Sequence, residues 1–353
     1  MNWVGPARAC LAVAIACAAV AVPAVDSLAR PKKQPEVELP PPPPAPPPPG
    51  PIVLPSRLVA DAAAYEAYLI RTSAISAGFQ DGASVALALK ISAAYEPKSL
   101  ISGAVTYGAI AALQAPTFVA DLRAAGSTPE NRRQMVNDLI SNPSYVFVFK
   151  GADAAAGMAE QALGAPALRL YVTGKAVKQS AYDVQHQSWS KQDIVDRDGR
   201  LAAIKASSER PSDSAADRVA SLQQAASGTA PMGITAAPAP PPYTPLVARA
   251  LQLAAVAALG EAGDDAYDRL TYLTDEDTTN TCLSMAKLNL FQCLAVSKPH
   301  YEDIFCMGQH IMQDTASCLV KSAGLAMPIE APPKQAGPAP APPATHRSSH
   351  RSG

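Results

Sequence analysis

The chain has 353 residues, with 29 Lys plus Arg against 30 Asp plus Glu, and a formal net charge of −1. Such a balance excludes the basic footprint of a nucleic-acid-binding protein. Hydrophobic residues make up 48% of the chain, and its 35 prolines concentrate in tracts that divide alanine-rich, helix-like stretches.

Met1 to Ala9 carries one positive charge, Arg8, and precedes LAVAIACAAVAVPAV, an apolar run too short for a comfortable membrane span. Residues 1–29 read as a secretory signal peptide, cleaved after Ala24 or Ala29. Either cut removes Cys10 and Cys17 and leaves four cysteines. Ala14-Ile15-Ala16-Cys17 also resembles a bacterial lipobox, which implies the alternative of a lipid-anchored envelope protein held through Cys17. Residues 30–56 form a proline-rich disordered spacer in which consecutive prolines favour polyproline II.

Residues 57–226 read as an alanine-rich helical bundle of seven or eight helices, with 17 basic and 16 acidic residues. Ser56 is the expected cap of SRLVADAAAYEAYLI, which is amphipathic through Leu58, Ala62, Tyr65 and Leu69. VALALKISAAY and LISGAVTYGAIAALQ are apolar nearly all round and imply buried helices. Ser127 to Glu130 has the spacing of a capping box, with Pro129 at the start of the next helix. Tyr145-Val146-Phe147-Val148-Phe149 is strand-like but has no evident partner, so it is expected as helix or buried loop. Beyond Gly151, ADAAAGMAEQAL and PALRLYVTGKAVKQSAYDVQHQ read as two further helices, and RLAAIKASS as another.

A Pro/Ala linker at 227–244 is expected to separate this bundle from a smaller acidic helical unit at 245–325. Arg249 and Gln252 make PLVARALQLAAVAALGEAG a poor membrane span, so no transmembrane segment is expected in the mature chain. Residues 326–353 read as a disordered tail. The fold class is therefore all-α: a multi-helix bundle plus a small disulfide-stapled helical hairpin unit, joined by proline-rich linkers.

The hairpin comes from the cysteines. Two helical runs flank Ser297-Lys298-Pro299-His300, with Thr278, Thr279 and Asn280 as cap candidates for the first and Pro299 in the opening turn of the second. Cys282 and Cys293 lie 11 residues apart, nearly one helix face, whereas Cys306 and Cys318 lie 12 apart, about 120° out of phase at about 100° per residue. That misfit predicts a bend or break between the latter pair, at Gly308 or at Asp314-Thr315. Within-helix pairing is excluded, because 11 residues at about 1.5 Å rise separate Cα atoms by about 16 Å. A short loop forbids the parallel pairing, which leaves Cys293 with Cys306 and Cys282 with Cys318. This layout resembles the twin-cysteine helical hairpins of the CHCH type, with longer spacings of ten, twelve and eleven intervening residues. The likeness extends to the stapled architecture and to no function.

Candidate chemistry concentrates at Asp183, His186, Asp193, Asp196 and Asp198, near Trp189. A histidine among carboxylates can perform general acid–base work, although Asp196 or Asp198 equally suits the cap of the next helix. Asp196-x-Asp198-Gly199 resembles the middle of an EF-hand loop, but Ile194 and Lys205 stand where ligands are needed. Ser-x-x-Lys occurs at Ser188–Lys191 and again at Ser284–Lys287, without its partner motif. Glu302, Cys306 and His310 share one helical stripe, but a metal role for Cys306 conflicts with the disulfide. No cofactor is implied. The sequence points to an exported, periplasmic or secreted binding or structural module whose partner is an envelope protein or cell-wall component. A hydrolase-like enzyme using Asp183, His186 and one nearby aspartate is the alternative.

Overall fold

Proline and acidic or hydroxyl side chains set where most of the helices begin. The computed structural model describes residues 46–209 and 216–329. Its helices are α1 (Ser56–Ser73), α2 (Gly82–Ala93), α3 (Pro97–Ala112), α4 (Pro116–Ala125), α5 (Pro129–Ser141), α6 (Ala152–Val184) and α7 (Arg197–Ser208). There follow α8 (Ala216–Ala226), α9 (Pro245–Ala258), α10 (Tyr267–Leu270), α11 (Asp277–Val296), α12 (His300–Cys306) and α13 (Thr315–Ser322). A π-helical stretch, Met307–Asp314, joins α12 to α13. Among the described residues there is no strand, only an isolated bridge between Asp193 and Pro299. The signal peptide, Cys17, most of the spacer and most of the tail lie outside the described residues.

Helices α3, α4, α5 and α9 each carry proline in the first turn, where the missing N–H costs nothing. Three starts fall beside the residues the sequence singles out. Thr128, not Ser127, caps α5 by accepting from Asn131 N at 3.2 Å. Ser56 lies inside α1, and its N–H and hydroxyl donate to Asp264. Glu276 caps α11, because its carboxylate reaches the amides of both Thr278 and Thr279 at 2.8 Å and so starts the helix before Thr278. Most of the strand-like stretch, Tyr145 to Val148, lies in a 3-10 turn, Pro143–Val148, that buries Val146.

Two expected helices before and after Pro166 are one helix of 33 residues. Proline removes one backbone hydrogen bond and its ring crowds the carbonyl of Ala162, and burial along the length of α6, from Ala152 to Val184, holds the helix together across it.

Helices α3 and α9 form the centre. Twelve of 16 residues of α3 and 12 of 14 of α9 are buried. Gly103 lets α3 meet α1, since a Cβ there would fall 2.3 Å from the carbonyl oxygen of Asp61, and Gly108 brings α3 against Ala250 of α9. Gln252, buried in α9, donates to the carbonyl of Leu139. The stretches 57–226 and 245–325 therefore share one core rather than folding as separate units. A helix that is apolar on every face needs cover on every face, which 80 residues of small acidic unit do not supply. No single described helix is long and apolar enough to cross a membrane; the bent pair α3 and α4, which pass that test together, turn by 89° between them.

The proline-rich segments that are described lie on this body. Arg123 donates to the carbonyls of Pro49 and Gly50 at 3.0 and 3.1 Å, and to that of Ala258 at 3.0 Å. Polyproline carbonyls have no internal partner, so a guanidinium satisfies them. The 227–244 segment crosses α6, where Ala239 N donates to Asp153 O at 2.9 Å. Gly157 makes the crossing possible: a Cβ there would fall 1.9 Å from the carbonyl oxygen of Ala237. This stretch is thus a strap, not a free linker. Gly157→Val is expected to lift it, read as new limited-proteolysis cleavage confined to residues 230–242, whereas Gly78→Ala leaves the digestion pattern unchanged.

Lys287 on α11 is 6% exposed and donates to the carbonyls of Tyr95 and Ser208, so it ties the hairpin to the turn before α3 and to the end of α7. Its ammonium lies 4.3 Å from the centre of the Tyr95 ring. Burial lowers its pKa from 10.5 to about 8. Between those values the folded state binds fewer protons than the unfolded state, so stability rises with pH. Relative to Lys287→Met, the native protein is expected to gain on the order of 2–3 kcal/mol from pH 7.5 to pH 10.5 in denaturant titrations.

Candidate functional site

The hairpin is built as its cysteine spacing requires. Cys282 joins Cys318 and Cys293 joins Cys306, with Cα–Cα distances of 5.8 and 5.7 Å. The 120° misfit between Cys306 and Cys318 is absorbed by the π-helical stretch between them. With i→i+5 bonding each residue turns roughly 80° instead of about 100°, so eight such residues return about 160° and bring both sulfurs to within about 40° of one face. Gly308, one of the two expected break points, sits within this stretch and touches α6: a Cβ there would lie 2.4 Å from Lys178 N. Gly174 faces the same contact from α6, against Met312 and Gln313.

The loop end of the hairpin is fixed by the polar run after α6. Arg197 donates to the carbonyls of Ser297 and Ala295 at 2.8 and 2.7 Å. Arg200 pairs with Asp303 at 2.5 Å and also reaches the carbonyl of Leu294. Ser297 Oγ donates to the same Asp303 oxygen at 2.7 Å. Burial raises the Asp303 pKa, against the lowering effects of Ser297 and Arg200. Ile194 N donates to Lys298 O at 2.9 Å, and Tyr301 N to Ser190 O at 3.2 Å. These bonds close the exposed carbonyls at the end of α11.

Between this fixed hairpin end and the last turns of α6 lies a groove of about 390 Å³. Ala181, Tyr182 and Gln185 form one wall. Val296 at the end of α11 with Ser297 just beyond it, and Tyr301, Glu302 and Phe305 from α12, form the other, with the Cys293–Cys306 bridge also lining it. The rings of Tyr182 and Phe305 are 6.2 Å apart and nearly perpendicular, at 83°. Glu302 Oε2 accepts from Lys298 N at 2.8 Å, which leaves the second carboxylate oxygen for other partners. Outside the lining, the Lys178 ammonium stands 5.5 Å from the Phe305 ring centre and is held by Gln309 Oε1 at 2.7 Å.

The catalytic candidates of the sequence are not assembled into a site. Asp183 accepts from Gln179 one turn away on α6 at 3.0 Å. Asp196 caps α7 by accepting from Gly199 N at 2.8 Å, and Asp198 lies exposed in the first turn of that helix. Asp193 forms the bridge to Pro299. His186 is exposed in the turn after α6, and among the described residues no hydrogen bond or ion pair joins it to these carboxylates. Neither Asp183 nor His186 lines the groove, although Tyr182 and Gln185 beside them do. In the Glu302, Cys306, His310 stripe, Cys306 is taken by its disulfide and His310 bonds Asp314 at 3.1 Å. Among the described residues no group of three or more His, Cys, Asp or Glu is placed to hold a metal ion.

Of the groove residues the sequence singled out the two cysteines, Ser297 in the connection and Glu302 in its stripe, while Tyr182, Tyr301 and Phe305 went unremarked. Tyr301 and Phe305, one helical turn apart just after a turn, were the available signal. A second cavity, of about 290 Å³, lies between α1, α3 and α6, and its carboxylate is engaged: Glu66 accepts from Arg218 and from Tyr107 Oη at 3.0 Å.

The two bridges close loops of different length, 36 and 13 residues. In the chain-entropy account the longer loop contributes about 1 kcal/mol more, so Cys282→Ala/Cys318→Ala is expected to lower stability further than Cys293→Ala/Cys306→Ala, as measured by urea denaturation. Compared with known proteins, the chain matches no family model, no curated protein and no solved structure.

Proposed function

We propose that this chain is an exported protein of a bacterial envelope that acts as a non-enzymatic binding module, with the groove beside the Cys293–Cys306 bridge as its binding face. The observation that carries this reading is apolar surface held open to solvent on a rigid frame. Val296 is 73% exposed and Tyr182 48% exposed, on either side of a cavity walled by two further aromatic rings. Folding chains ordinarily turn such groups inward, and a cleft that keeps them out marks a site of contact. Both walls are braced, α6 by its close packing at Gly174 and Gly308 and the hairpin by its disulfide and by Arg197 and Arg200. Export is supported by the leader-like first 29 residues together with the disulfides, which persist in oxidising compartments.

A photo-crosslinking residue at Val296 tests this reading, with the same residue at Val172, exposed on α6, as control. In the native envelope the Val296 position is expected to give a defined mass-shifted adduct at least tenfold more abundant than the Val172 position, and Tyr182→Ser is expected to remove it. Equal labelling at both positions, or none at Val296, would overturn the groove as binding face.

A further inference from the structure

We infer that the groove binds the head of an organic cation, a quaternary or methylated ammonium group; this inference rests on the groove being the binding face. Electrostatics narrow the ligand first. Among the described residues no lysine or arginine lines the groove, and the one formal charge of its lining is the Glu302 carboxylate, so the lining itself favours a cation over an anion. Ring geometry narrows it further. Tyr182 and Phe305 make a corner at 83°, and Tyr301 projects one helical turn before Phe305 on α12. Aromatic faces carry the negative end of the ring quadrupole, and several rings around one space attract an alkylated ammonium, whose weak hydration makes it cheap to desolvate.

The molecule already supplies an instance of this attraction. The Lys178 ammonium lies 5.5 Å from the Phe305 ring centre, at the edge of the site. Its charge opposes a second cation, so it sets a sign for the test: neutralising Lys178 tightens binding. A cavity of about 390 Å³ accommodates a trimethylammonium head with part of its attached chain.

Calorimetry on the full chain with choline and with its neutral isostere, 3,3-dimethylbutan-1-ol, separates charge from shape. Choline is expected to bind at least tenfold tighter than the isostere. Glu302→Gln, which keeps an acceptor for Lys298 N, and Phe305→Leu are each expected to weaken choline at least fivefold, while Lys178→Gln strengthens it. Thermal melts of the three variants establish that they are folded. Retention on phosphatidylcholine but not phosphatidylglycerol vesicles would support the inference with a lipid headgroup as source; choline binding without vesicle retention would support it with a free amine. Equal affinity for choline and the isostere would overturn the cation assignment and leave the Val296 crosslink as independent support for the binding face. Absence of binding by choline and by vesicles would overturn it as well.

Discussion

Helices α3 and α9 have almost no polar face to offer water, and the chain buries them against each other. Apolar surface removed from water contributes roughly 25 cal/mol per Å², and this mutual cover draws the two sequence halves into one core. Everything outward follows from it. Helix α1 reaches α3 at Gly103, α6 lies across both, and the stapled hairpin closes over the far end of α6. The proline-rich segments lie on the surface of this body, where Arg123 donates to the carbonyls of Pro49 and Gly50 and the missing side chain of Gly157 leaves room for that of Ala237.

The hairpin illustrates how one mismatch in spacing propagates to a surface. Two antiparallel bridges in a single register demand that Cys306 and Cys318 share a face, and twelve residues of α-helix refuse this. The π-helical turns resolve the conflict and place Gly308 against α6. With α6 locked to the hairpin at that point, its last turns run on beside the Cys293–Cys306 bridge, and Tyr182 meets Phe305 there. The groove is thus a by-product of the staple made rigid by Arg197, Arg200 and Asp303.

That polar run is where chemistry looked densest in the sequence. Asp196 and the arginines beside it instead satisfy backbone groups: Asp196 takes the free amide of α7, and the two guanidiniums take the carbonyls that α11 leaves open. A concentration of charge next to helix ends is as readily a set of caps as a catalytic cluster, and only the positions of its partners separate the two. Two of the carboxylates near His186 have an amide closer to hand, Asp183 that of Gln179 and Asp196 that of Gly199.

What the sequence determined was local. Apolar periodicity and caps specified an all-helical chain, and the 11- and 12-residue cysteine spacings, read with the rise and twist of a helix, allowed only the antiparallel pairing and required an irregularity between Cys306 and Cys318. These properties depend on distances within one segment. The single core, the continuity of α6 through Pro166, the strapped prolines and the groove of Tyr182, Tyr301 and Phe305 depend on surfaces brought together from segments distant in the chain. Tertiary structure alone decided them, because whether an apolar helix is covered, or an aromatic side chain left open, depends on which other surface arrives beside it.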